Sequence, residues 1–388
     1  MKGNSIAKKA LITFFLLSFV SLFADITYEG ARSIIGAYFD ILGASALIVG
    51  FIGVGELINY IMRGVGGFIA GYFRSSRIYW GLVIAGYFVN LVAVPLLALA
   101  GSWEIAFILV ILERVGKGLR APARDVIIAE ITEPIGKGKG FGIHELLDQI
   151  GAIAGPSFVA WSLMASHGNY RLSLMYLAIP AIIALALVIT ASILYPKVKS
   201  VSVSKRKREP LPRKFIMYLV SVSILSLGFA HWALISYHLR TLAIASDYFI
   251  PLFYTLAMLV DAIVAIPIGF LYDKIGLKVF ISIPLLTFIA SLVLVSNSIY
   301  PILLFIIVWG IVMGAYETIM RAAIADLVDP RFRAYAYGIF GLMVGLSWMI
   351  GNAIMGFLYQ YSRIAIAYFV FSTEILALVF ALIGFLRK

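Results

Sequence analysis

Long apolar stretches separated by short clusters of Gly, Pro and charge run through the whole chain, and each stretch is of membrane-crossing length. The pattern predicts crossings at 10–38, 45–73, 78–100, 103–130, 138–166 and 170–195, then at 214–241, 248–272, 277–297, 300–327, 332–361 and 363–386. About 20 apolar residues span the hydrocarbon layer as a helix, so each stretch suffices for one crossing. The segment 10–38 follows Lys2, Lys8 and Lys9, but it continues through Asp25, Glu29 and Arg32 with no small-residue cleavage site, so it reads as an uncleaved first crossing.

Between the sixth and seventh crossings, residues 196–213 are rich in bases and lack an apolar run, which marks a linker between bundles 1–195 and 214–388. The halves resemble each other. Gly118 pairs with Gly314, Pro134 with Pro330 and Gly155 with Gly351, each pair 196 residues apart. Six crossings per half is even, so the copies enter from the same side as parallel repeats. The expected fold is an all-α membrane protein, twelve transmembrane helices in two pseudo-symmetric six-helix bundles.

Composition agrees with that pattern: 62% of the 388 residues are hydrophobic and 13% charged. Mean hydropathy is +1.02, far above that of a water-soluble domain. The formal charge of +12 falls on alternate loops, with Arg74 and Arg77, Lys137 and Lys139, Lys274 and Lys278, Arg331 and Arg333, and Arg387 and Lys388 on the side of the N-terminus. The positive-inside rule then places both termini in the cytoplasm of a cell-membrane protein. That account of the bases leaves no nucleic-acid role, because no folded reader accompanies them. No cysteine is present, which excludes disulfides and thiolate chemistry. There is no phosphate-binding loop of the GxxxxGK[ST] form and no Ser-His-Asp or helical metal motif, so no cofactor, resident metal or enzymatic role is expected.

Gly269 to Lys278, GFLYDKIGLK, with its Asp273-Lys274 pair, is similar to the cytoplasmic loop signature of the major facilitator superfamily, and the resemblance covers nearly the whole chain. Its first-half counterpart, Gly67 to Ser76, keeps Gly67 but has Gly71 where the signature has an acid. In the fifth crossing Gly142, Gly151, Gly155 and Pro156 match the Gly-x8-Gly-x3-Gly-Pro pattern that this superfamily associates with proton-linked exporters, although Val159 and Ala160 stand where two further glycines are usual. The segment Glu113 to Asp125 also resembles a prokaryotic permease subgroup. The resemblance implies a secondary transporter with a substrate site between the halves.

Charges inside the membrane carry the chemistry, since an ionised group at the bilayer centre costs about 2.5–3.5 kcal/mol or more and must find a partner or a ligand. At helical spacing, one face of the first crossing holds Asp25, Glu29 and Arg32, and one of the fourth holds Glu113, Lys117, Arg120 and Arg124. The fifth holds His144 and Asp148, with Glu145 alongside. Asp25 lies about 22 Å along its helix, near mid-membrane. These residues are the expected proton-coupling and substrate groups, joined from the second half by His231, whereas His238 reads as hydrogen-bonded structure. The glycines, Pro156, Asp273 and Lys274 are expected to gate and pack. The expected partners are a small-molecule or ion substrate, protons and membrane lipids, for a monomeric exporter. A cation or metal-ion exporter and a lipid-moving protein of the same fold are the alternatives.

Overall fold

The computed structural model describes residues 2–132, 136–198, 211–329 and 332–386. Most of the linker's bases, the repeat-related Pro134 and Pro330, and the terminal Arg387 and Lys388 lie outside the described residues. All regular structure in the described chain is helical. In order it contains α1 (Lys2–Ile41), α2 (Ala46–Phe51), α3 (Val54–Phe73), α4 (Ser76–Leu96), α5 (Trp103–Ile131), α6 (Lys137–Ala165), α7 (Tyr170–Tyr176) and α8 (Ala178–Leu194). The second half contains α9 (Arg213–Gly228), α10 (Trp232–Thr241), α11 (Phe249–Ile275), α12 (Ile283–Ser291), α13 (Ile299–Leu327), α14 (Arg333–Tyr361) and α15 (Arg363–Leu386).

Among the described residues nine segments are long and apolar enough to cross a membrane by length and composition. One of them, Phe249–Leu294, has 46 residues. As helix that is about 69 Å, twice the hydrocarbon thickness. It folds back at Gly276, whose φ of +62° lies in the left-handed region that glycine enters without strain. Helices α5 and α6, each of 29 residues, fall outside the nine, α5 through its charges and α6 through polar and small residues that lower its hydropathy. Counting Phe249–Leu294 as two crossings and adding these two gives twelve. Many large apolar side chains face outward, among them Phe68, Tyr72, Ile193 and Tyr300, as contact with lipid tails requires.

Packing divides the chain into one unit of Met1–Arg32 and Ile58–Arg206 and another of Ser33–Leu57 and Lys207–Lys388. Hydrocarbon gives helices no hydrophobic reason to associate, so close backbone approach at small residues holds them together. In the first unit Gly116 of α5 packs on Gly86 O and Asn90 of α4, Gly118 on Asn59 O of α3, and Gly155 of α6 on Ile26 O of α1. In the second, Gly314 of α13 packs on Asp261 of α11 and Gly351 of α14 on Leu227 O of α9. Gly118 and Gly314 therefore make corresponding contacts, and so do Gly155 and Gly351. The segment Ser33–Leu57 joins the second unit through Trp232 Nε1, which donates to Ser33 O at 2.8 Å, and through the ion pair of Asp40 with Arg240.

The seventh crossing differs from the single helix expected at 214–241. It breaks between Gly228 and Trp232, and the loosened backbone is held by side chains from three other helices. Ser291 Oγ donates to Gly228 O at 2.7 Å, Trp348 Nε1 to Phe229 O at 2.7 Å and Trp309 Nε1 to Ala230 O at 2.9 Å. Asn352 Oδ1 accepts from His231 N at 2.7 Å. In hydrocarbon a non-helical stretch survives only when protein groups satisfy its backbone, and these four do so.

Candidate functional site

Helices α1, α5 and α6 bring the expected charges together inside the first unit. Glu29 of α1 accepts from Arg32 Nη1 at 2.6 Å and lies 3.8 Å from Lys117 Nζ of α5. Lys117 also sits 3.9 Å over the Tyr28 ring, with Arg32 5.8 Å from the same ring. Asp25, one turn before Glu29, is 5% exposed and packs against Gly151 of α6, where an added Cβ would come 2.8 Å from the Asp25 Cβ. The charges acting on Asp25 are those of Asp148, Lys117, Glu29 and Arg120. Glycine at 151 is what lets α6 approach closely enough to place Asp148 among them.

Arg120 is 2% exposed and lies with its guanidinium carbon 3.8 Å over the Tyr87 ring of α4, a cation–π contact. It makes no ion pair among the described residues, and its Nε, Asp25 Oδ1 and Asp148 Oδ1 are buried without hydrogen-bond partners there. His144 Nδ1 is 3.3 Å from Ser18 Oγ, and its Nε2 is 4.0 Å from Asp148 Oδ1. Lys117 and Asp148 keep 27% and 22% of their side-chain surface exposed, so the cluster is not fully sealed.

Two other charged groups of the fourth crossing have close partners of their own. Glu113 accepts from Asn90 Nδ2 at 2.7 Å and pairs with Arg114 at 3.0 Å, which ties α4 to α5. Arg124 pairs with Asp125 at 3.0 Å. Glu145 is exposed and makes none of the ion pairs found among the described residues. His231 belongs to the second unit, where its Nδ1 caps α10 by accepting from Ala233 N at 3.1 Å, 5.4 Å from the Trp348 ring. His238 is tied to Tyr359 OH and Ser296 O, each at 2.8 Å, as expected of a structural histidine.

The glycines divide in the same way. Gly151 and Gly155 are tight contacts and Pro156 follows within α6, whereas a Cβ on Gly142 or Gly71 would meet nothing within 4 Å and one on Gly67 would touch only Pro122 at 3.7 Å. Asp273 and Lys274 are exposed at the end of α11. The acid engaged near them is Asp326, which accepts from Tyr272 OH at 2.7 Å, and its repeat mate Glu130 accepts from Tyr195 OH at 2.9 Å. Formal charge marks the ions in the sequence but not Tyr28 and Tyr87 beneath them. Tyrosines at helical spacing read as core, and only their position under a cation marks them.

A profile of the Major Facilitator Superfamily matches residues 14–253 and 232–388. An uncharacterized protein of Mycobacterium tuberculosis is 37% identical over 369 residues, covering 93% of this chain and 90% of that protein. An uncharacterized MFS-type transporter of Methanocaldococcus jannaschii is 30% identical over 379 residues, covering 93% and 92%. Among solved structures, the nucleoside transporter NupG superposes with a TM-score of 0.75 at 13% identity over 97% of this chain and all of that one, a likeness of fold alone. The chain belongs to the major facilitator superfamily and is a secondary transporter, not an enzyme.

Proposed function

We propose that this transporter exports a small solute carrying an anionic or hydrogen-bond-accepting group, by alternating access coupled to protons, with both termini cytoplasmic. The observation that carries the reading is the set of buried, unpartnered atoms on Asp25, Asp148 and Arg120 in the first unit. Buried polar groups without partners are rare in a folded chain, and a site that binds something is a common reason for them. Arg120 lies within electrostatic reach of both acids. It makes no ion pair among the described residues and is open to the solute's acceptor group. A hydrogen-bond donor on the same solute competes with the proton for Asp25 and Asp148, so solute and proton displace each other as exchange requires. The two ligands therefore share the same acids, which is what energetic coupling requires. Lys117 and Glu29 extend the surface available to the solute, and the fifth-helix glycine pattern supports the outward direction.

The test has two stages. A thermal-shift screen of purified protein against organic anions, zwitterions and cations should yield stabilising ligands that carry an acceptor group, since a bound ligand raises apparent stability by mass action. Flux of the best ligand in proteoliposomes should then respond to an imposed pH gradient, with solute and protons moving in opposite directions. The double variant Asp25→Asn, Asp148→Asn should lose that response. Flux indifferent to the gradient removes the coupling, and an unaltered double variant removes the site.

A further inference from the structure

The break in the seventh crossing has an acid beside it. Glu374 of α15 is 3% exposed, and neither of its carboxylate oxygens has a hydrogen-bond partner among the described residues. It lies against Gly228, where an added Cβ would overlap Glu374 Oε1 and come 2.7 Å from Thr373 Oγ1. Ser291 Oγ of α12 stands 2.7 Å from the carbonyl oxygen of the same glycine. The Glu374 carboxylate, Thr373 Oγ1, Ser291 Oγ and Gly228 O thus gather around one residue that has no side chain. One turn from Ser291 along α12, the Thr287 hydroxyl is also buried without a partner.

The hydrogens of the two nearest hydroxyls are already committed. Thr373 donates to Val370 O at 2.9 Å and Ser291 to Gly228 O. Neither can donate to Glu374 in this arrangement, but each retains lone-pair density. Ser291 Oγ also accepts from Ala230 N at 3.3 Å. The donors of the residues against Glu374 are thus spent on other groups and what they turn to it is oxygen, which suits a hard cation. One carboxylate among neutral oxygens balances one positive charge, and a divalent ion would leave an uncompensated charge in the apolar bundle. Unwound backbone within a membrane helix is a recurrent place for such coordination.

We propose that Glu374, Thr373, Ser291 and the Gly228 carbonyl form a binding site for a small monovalent cation, sodium being the ion of fitting size and charge. The site belongs to the second unit, shares no residue with the charge network of the first and needs no solute, so its failure and the failure of the export reading are separable.

The test is the melting of purified full-length protein in sodium chloride against choline chloride at constant total chloride. The melting temperature should climb with sodium and stay flat in choline. Glu374→Gln should abolish the climb, and Asp25→Asn should retain it. Should Glu374→Gln fail to fold, Thr373→Ala keeps the carboxylate and loses one ligand, and it should raise the sodium midpoint by about tenfold. Coincident sodium and choline curves for the wild type would overturn the site and leave Glu374 a buried acid that holds only a proton. A sodium response that survives Glu374→Gln would overturn it as well.

Discussion

Tyr87 holds Arg120 through its ring alone. The guanidinium carbon lies 3.8 Å over the ring, while the hydroxyl is buried with no hydrogen-bond partner among the described residues. The two parts of the side chain can therefore be tested separately. Tyr87→Phe keeps the ring and removes an unsatisfied group, so its thermal melting should match or exceed that of the wild type. Tyr87→Leu removes the cation–π contact from a desolvated Arg120 and should lose about 0.5–2 kcal/mol, read as an earlier unfolding midpoint. Equal damage from both variants would mean that the hydroxyl, through a water or a ligand, contributes what is here assigned to the ring. The same reasoning separates Glu113 from the centre. Among the acids legible in the sequence, Glu113 has an amide and a guanidinium at hydrogen-bonding distance and so ties helices together, whereas Asp25 and Asp148 each leave a buried oxygen for something to bind.

At the scale of elements, the fifth-crossing glycine pattern combines two kinds of position that one-dimensional spacing cannot separate. Gly155 faces Ile26 O and the Gly30 amide, with an added Cβ 2.5 and 2.9 Å away, while Gly142 faces open space. Gly155→Ala should cost about 1–3 kcal/mol through overpacking against backbone that cannot yield. Gly142→Ala should melt at or somewhat above the wild type, since Ala is the better helix former and meets nothing there, and differential scanning fluorimetry of the pair decides it. Comparable losses at both positions would show that the pattern acts through helix flexibility and not through packing. Ten of the twelve crossings were legible from apolar length, because lipid forces backbone satisfaction within each span, whereas α5 and α6 carry polar residues that lower theirs. The break at 228–231 was hidden because its sequence, Gly-Phe-Ala-His, is apolar enough to continue a helix. What opens it is the set of donors from Ser291, Trp309 and Trp348 and the acceptor of Asn352, which lie 60 to 124 residues away in the chain.

Across the whole molecule the internal repeat and the charge asymmetry of the loops make different claims. The repeat is seen in space: Gly118 and Gly314, and Gly155 and Gly351, make corresponding backbone contacts in their own units, as their common offset implied. Which side of the membrane the loops occupy rests on electrostatics alone, since Lys and Arg near the ends of crossings are retained on the cytoplasmic side. The natural absence of cysteine makes this directly testable, because one introduced thiol has no background. Glu104 opens α5 next to a base-poor loop, and Lys278 lies in the basic turn after α11; both are exposed. Glu104→Cys should react with a membrane-impermeant maleimide on intact cells, and Lys278→Cys only after the membrane is permeabilised. The reverse pattern would invert the chain in the membrane. An inverted chain would in turn reverse the side from which Asp25 and Asp148 take their proton, so export as proposed requires this labelling order as well as the flux.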